Sequence, residues 1–159
     1  MSKSSKLNPG VMSSELQDWA TPISFVIAVE QYLRIKFDTD VCAYSTNAKC
    51  TNFYTEADDG LTKEWTGICW MNPPYNEVAK WLQYAYEQSK KHDSTIVCLV
   101  PARPDTKWFH DIACKGSIIF LKGRIQFEHP TKTAGSPAFP SMLVIFNNRP
   151  TNFSTWDWK

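Results

Sequence analysis

No stretch of these 159 residues is apolar for long enough to cross a bilayer, and the N-terminus carries no apolar segment. A soluble chain without a recognisable secretion signal is therefore expected. An excess of charge of one sign is also missing. The net charge of +1 argues against a strongly basic nucleic-acid coat protein and leaves room only for a local basic face. Cysteine is present without a pattern. Cys42, Cys50, Cys69, Cys98 and Cys114 make an odd number with no C-x-x-C spacing, so neither a disulfide framework nor a zinc site is indicated. Buried thiols in a reducing cytoplasm are the expectation. Three scattered histidines suggest no metal, and there is no internal repeat or low-complexity segment.

What is present is core material. Hydrophobic residues make up 43% of the chain and aromatic residues 14%, enough for one globular domain and too short a chain for a second. The Ser- and Lys-rich residues 1–14 read as a flexible tail, 15–150 as the domain, and 151–159 as a C-terminal tail with Trp156 and Trp158 among polar residues.

The stretch Cys69-Trp70-Met71-Asn72-Pro73-Pro74-Tyr75 organises the reading. An apolar run over 66–71 reads as a strand. Two successive prolines cannot continue it, because each lacks a backbone N–H and fixes φ. A stiff, extended loop at a strand end is predicted, and Asn76 is placed to cap the helix that follows to about Lys91. In that helix Val78, Trp81, Leu82, Ala85 and Ser89 share one face. Upstream, Thr21-Pro22 predicts a helix N-terminus with Thr21 as cap and Pro22 as first residue. Ile23, Val26 and Ile27 form one stripe of that helix and Phe25, Val29 and Tyr32 another, so it is expected to be packed on more than one side.

Short strands are predicted over 34–41, ending in Asp40 before Cys42-Ala43, and over 51–55. The apolar run 95–100 reads as a strand covered on both faces and ending at Pro101. A short helix is expected from about Asp105, with Trp108, Phe109 and Ile112. Strand 117–121 follows, Arg124 to Phe127 continues beyond Gly123, and 141–146 closes the series of strands. Residues 128–140, with three prolines and one glycine, form a long loop of the kind that carries function. Trp81, Phe109 and Ile112 are assigned to the core. Strands alternating with helices imply an α/β fold with a mainly parallel sheet. Ligands bind beyond the carboxyl ends of such strands. Asp40 with Cys42-Ala43, Asn72 to Tyr75, and Pro101 to Arg103 should then share one rim.

Asn-Pro-Pro-Tyr resembles the catalytic motif of amino-methyltransferases that use S-adenosylmethionine. Its chemistry has a rationale in the residues themselves. The lone pair of an adenine amino group is delocalised into the ring. The Asn72 carbonyl and the rigid Pro73 backbone carbonyl can accept both amine protons and favour a tetrahedral, nucleophilic nitrogen. Tyr75 can stack on a base that has left its duplex. For an isolated Pro-Pro-Tyr, a strand-ending turn with a packed tyrosine is the simpler reading, so the neighbouring motifs matter. Trp19-Ala20-Thr21-Pro22, Asp38-Thr39-Asp40-Val41-Cys42-Ala43, Asp58-Asp59-Gly60-Leu61, Trp70 to Tyr75, Pro101-Ala102-Arg103 with Thr106 and Trp108, and Gly123-Arg124-Ile125 with Phe127 occur in one order. Together, over about residues 17 to 146, they are similar to the phage and prophage DNA N-6-adenine-methyltransferases of the Dam type.

That resemblance implies an abbreviated, Rossmann-like methyltransferase sheet flanked by helices, S-adenosylmethionine as cofactor, and adenine flipped out of DNA as substrate. The setting it implies is the cytoplasm of a bacterial or phage-infected cell. It assigns Asn72, Pro73, Pro74 and Tyr75 to catalysis. Trp19, Thr21, Pro22, Asp40, Ala43 and Asp59 fall to the cofactor, with Asp59 preferred over Asp58. Arg103, Lys107, Arg124 and Lys132 are candidates for DNA phosphates. The Gly-x-Gly of the wider pattern is missing after Asp40. Two other readings share the motif or the fold: methylation of RNA adenine or a protein glutamine amide, and a DNA-binding module without catalysis.

Overall fold

The run Thr95–Pro101 is the strand around which the sheet is built, buried at every position after the first. In the computed structural model, which describes residues 20–44, 47–128 and 139–159, its side chains alternate between two cores. Ile96, Cys98 and Val100 face one cluster, and Val97 and Leu99 the other. A strand covered on both faces needs no polar side, which is why the sequence there is uninterrupted.

Seven strands follow in chain order: β1 (Thr39–Asp40), β2 (Asn52–Phe53), β3 (Ile68–Met71), β4 (Thr95–Pro101), β5 (Ser117–Leu121), β6 (Ser141–Phe146) and β7 (Phe153–Trp156). They form one sheet in the order β2-β1-β3-β4-β6-β5-β7. The β1–β2, β1–β3, β3–β4 and β5–β7 pairs are parallel. β6 runs antiparallel to both β4 and β5. Helix α1 (Ile23–Leu33) covers one face through Phe25, Val26 and Val29, against Phe37, Trp70, Val97 and Leu99. Helices α2 (Val78–His92) and α3 (Lys107–Asp111) cover the other face with Val78, Trp81, Leu82, Ala85 and Phe109. The result is an α/β sheet with helices on both sides.

Several expectations are corrected. Thr21 does not cap α1; Pro22 holds the cap position with φ −58° and ψ 137°, and no side chain bonds the first turn. α1 buries one face only, with Phe25, Val26 and Val29 against the sheet and Trp158, and leaves Ile23 and Ile27 exposed on the other. Asn76 is not a cap either: Tyr75–Glu77 form a 3-10 turn and α2 begins at Val78. The first strand is two residues rather than eight, since side chains take over its ladder. The Glu30 carboxylate accepts from the Phe37 N–H at 2.9 Å and the Asp38 carboxylate from the Ile68 N–H at 2.8 Å. Residues 124–127 form no strand, and only a bridge between Ala20 and Glu128 follows them. β6 does not close the series. Within the segment expected as a tail, β7 pairs with β5, and Trp156 stacks on Tyr32 at 4.2 Å.

Candidate active site

β1 has β2 on one flank and β3 on the other, so the chain changes winding direction between β1 and β3. A crevice opens outside the carboxyl ends of strands at such a point. Here it is a cavity of about 500 Å³, within the range that holds a small-molecule ligand. Asp40, Asn72 and Pro101, from the ends of β1, β3 and β4, all line it. Because β6 is antiparallel, its start meets the same rim: Ser141 pairs with Pro101.

Asn72 leaves β3 just before the prolines, where no ladder fixes its side chain. Its Nδ2 donates to the Thr21 hydroxyl at 2.8 Å. With that end occupied, Oδ1 is the acceptor left for a ligand. Pro73 and Pro74 line the cavity beside it, and Pro74, with φ −55° and ψ 139°, turns the chain into the Tyr75–Glu77 turn. Tyr75 packs edge-to-face on Phe139, with ring centroids 4.6 Å apart and planes at 67°. Phe127 extends this group, 5.8 Å from Phe139. Burial raises the Tyr75 phenol above its usual range, and a hydrogen bond and positive charge from Arg103 act the other way.

Asp40 is 3% exposed. Its Oδ1 accepts from the Cys42 N–H at 3.2 Å and its Oδ2 from the Lys49 N–H at 3.0 Å. One carboxylate thus folds the loop after β1 back on itself, in the place where the wider pattern has its Gly-x-Gly. Burial pushes the Asp40 carboxyl up to about 6 from its ordinary 3.8, against both N–H donors and the Lys49 charge. The shift corresponds to roughly 3 kcal/mol. A raised carboxyl makes the folded state the better proton binder. Its contribution to stability is therefore complete below about pH 4 and lost as pH rises through about 6. Urea titrations at several pH values test this. Relative to Asp40→Asn, the wild type should lose stability between pH 4 and 7; a pH-independent difference would show that Asp40 titrates in its ordinary range.

The structure separates the two acids of the next loop. Asp58 spends its Oδ2 on the Thr55 N–H and hydroxyl, at 2.8 and 3.0 Å. Asp59 lines the cavity, in a left-handed conformation with φ 51°. Gly60 follows because there is no room for a side chain: a Cβ would collide with the Val41 carbonyl oxygen. Glu56 and Glu77 add to Asp40 and Asp59, against Lys49 and Lys80, so acidic groups outnumber basic ones on the wall and favour a cationic ligand over a phosphate.

Of the other expected residues, Ala43 lines the cavity and Pro22 stands at the start of α1 rather than on the wall. Arg103 and Arg124 are exposed and follow the carboxyl ends of β4 and β5; Arg103 hydrogen-bonds Tyr75 of the cavity wall. Lys107 pairs with Asp111 across one helical turn at 3.9 Å, an ordinary surface arrangement. Trp19 and Lys132 lie outside the described residues. Sequence reasoning missed Phe139 and Lys49 altogether and used Phe127 only as part of a motif. Phe139 reaches the wall because β6, two residues further on, runs antiparallel to β4, a direction the sequence does not carry.

One cavity thus gathers a carboxamide oxygen, a proline-stiffened loop, a pair of aromatic rings and several carboxyl groups. The model of one family, DNA N-6-adenine-methyltransferase (Dam), matches residues 10–156. A DNA N-6-adenine-methyltransferase of Haemophilus phage HP1 (strain HP1c1) is 38% identical over 134 residues, 80% of this chain and 77% of that protein. A second, from Escherichia phage T1, is 36% identical over 94 residues, 57% of this chain and 38% of that protein. The chain belongs to the DNA N-6-adenine-methyltransferase (Dam) family.

Proposed function

We propose that the chain transfers a methyl group from S-adenosylmethionine to the exocyclic 6-amino group of adenine in DNA, on a Rossmann-like sheet. The observation that carries this reading is the Asn72 amide, tied at its nitrogen and presenting its oxygen to a cavity edged by Tyr75 and Phe139. The relatives' names support DNA adenine over an RNA or glutamine substrate.

The cavity fits such a methyl donor. It has the volume for one, and a buried acid on its wall gains from a neighbouring positive charge. Asp40 and the loop it holds, with Asp59, would bind the donor. Bound there, S-adenosylmethionine supplies an electrophilic methyl group. The chain's own residues prepare the nucleophile. Asn72 Oδ1 and the Pro73 carbonyl accept the two amine protons, which disfavours delocalisation into the ring and localises the lone pair. The same two dipoles stabilise positive charge developing on the nitrogen, until one of its protons leaves to solvent. Tyr75, backed by Phe139, packs on the adenine ring, which has to leave the duplex to enter, and Arg103 and Arg124 meet the phosphates around it.

The test is to incubate the protein with labelled S-adenosylmethionine and, in parallel, DNA, RNA and protein, and to identify the product by mass spectrometry. N6-methyladenine in DNA is expected. Label confined to RNA or protein overturns the substrate, and absence of both transfer and calorimetric donor binding overturns the enzyme.

A further inference from the structure

Resting on that reading, we infer that Thr21 is a positioning residue for the reaction, which sets the plane of the Asn72 carboxamide. The assignment differs from the cofactor contact expected of Thr21. Its side chain does not cap α1, and its Oγ1 accepts from Asn72 Nδ2 at 2.8 Å across 51 positions of sequence.

Thr21 is suited to holding another group still. It is 1% exposed, so its hydroxyl has little freedom to swing into water. The preceding residue is pinned to the far side of the rim. The Ala20 N–H donates to the Glu128 carbonyl at 2.7 Å, and the Glu128 N–H to the Ala20 carbonyl at 2.8 Å. Asn72 has no such support of its own, since β3 ends at Met71 and the next two residues are prolines without N–H groups.

A carboxamide has two ends of nearly the same shape, and only one can do this chemistry. With Oδ1 towards the substrate, it accepts an amine proton. Reversed, it sets N–H against N–H. A threonine hydroxyl can pair with either end, so alone it fixes the plane and not the direction. The substrate amine removes the remaining choice: only the orientation with Nδ2 on Thr21 leaves both ends paired. The hydroxyl and the amine thus act on opposite ends of one amide, and the hydroxyl's share is a pre-set plane. Losing that plane leaves Asn72 able to contact the substrate while presenting Oδ1 at the wrong angle. Misplacement of this size can cost up to about 100-fold in rate.

The test compares Thr21→Val, which keeps the shape and removes the hydroxyl, with Thr21→Ser, which keeps the hydroxyl. Thr21→Val should lower single-turnover methylation of duplex DNA by about 10- to 100-fold and leave the calorimetric Kd for S-adenosylmethionine within about twofold. Thr21→Ser should recover most of the rate. In spectra of 15N-labelled protein, the Asn72 side-chain amide should be protected from exchange in the wild type and in Thr21→Ser, and unprotected in Thr21→Val. A rate unchanged in Thr21→Val overturns the inference. So does donor affinity falling in step with kcat/KM while kcat holds, which would make Thr21 a donor contact. If Thr21→Val does not fold, the wild-type spectrum decides: an Asn72 amide exchanging like one on the surface overturns the inference, and a protected one supports it. Failure of the underlying reading looks different. Asn72→Ala would then stay active, whereas an inactive Asn72→Ala beside a fully active Thr21→Val sinks the inference alone.

Discussion

Asn72→Ala should lower kcat by at least about 10²–10³-fold while the protein folds normally and binds S-adenosylmethionine with unchanged affinity. The magnitude is that of removing one pre-oriented dipole from a site where charge develops. Both parts of the expectation come from the geometry. Asn72 is in neither buried cluster and its side chain bonds Thr21, so truncating it leaves the core intact. Asp40 and Asp59, proposed for the donor, stand elsewhere, at the end of β1 and just before the turn Gly60–Thr62. Rapid-quench turnover on duplex DNA and calorimetric titration of the donor, run on the same preparation, read the two halves. A fully active variant would remove Asn72 from the mechanism. A variant that had also lost donor affinity would place the side chain on the donor instead of the amine.

Trp65→Ala should produce the largest loss of stability, about 3–5 kcal/mol. That is a large share of the roughly 5–15 kcal/mol that holds a domain of ordinary size together. Trp65 is 1% exposed. Its indole N–H donates to the Gly60 carbonyl and its backbone N–H to the Gln88 side-chain oxygen, each at 2.9 Å. Its ring lies 6.0 Å from Trp81 and 4.9 Å, edge-on, from Tyr84. Truncation leaves a cavity between these rings and removes one of two donors to the Gly60 carbonyl, the other being the Lys63 N–H at 3.2 Å. Trp65→Phe should cost about 0.5–1.5 kcal/mol, mainly for the lost N–H. Urea denaturation should show a lower midpoint at unchanged slope. The turn that loses its anchor is Asp59-Gly60, so weaker donor binding should accompany the lower stability. A Trp65→Ala protein with wild-type stability would mean that the Gly60 turn is held by other contacts.

The parts of this site legible in the sequence are those whose geometry is local. Asn72-Pro73-Pro74-Tyr75 carries its own rigidity, and an apolar run leading into two prolines reads as a strand end in any context. The apolar run of β4 was equally plain. What could not be read depends on direction or on substitution. Phe139 reaches the cavity because β6 runs against its neighbours, and the sequence of a strand is silent about which way it points. β1 is short because the carboxylates of Glu30 and Asp38 take hydrogen bonds that a longer ladder would have taken. The missing glycine loop has a comparable explanation, since Asp40 closes that turn with its own two oxygens. β7 escaped notice because an edge strand with alternate exposed positions has no apolar run to announce it.

The antiparallel entry of β6 has one more consequence. Ser141 pairs with Pro101, and Phe139 stands two residues before it, so one edge of the cavity is built from the end of one strand and the start of its neighbour. Phe139 is thereby tied to the register of β6 on β4. A slip of that register by one residue would draw Phe139 away from Tyr75 while it turned the buried face of β6 outward, so the shape of the site and the integrity of the core stand or fall together.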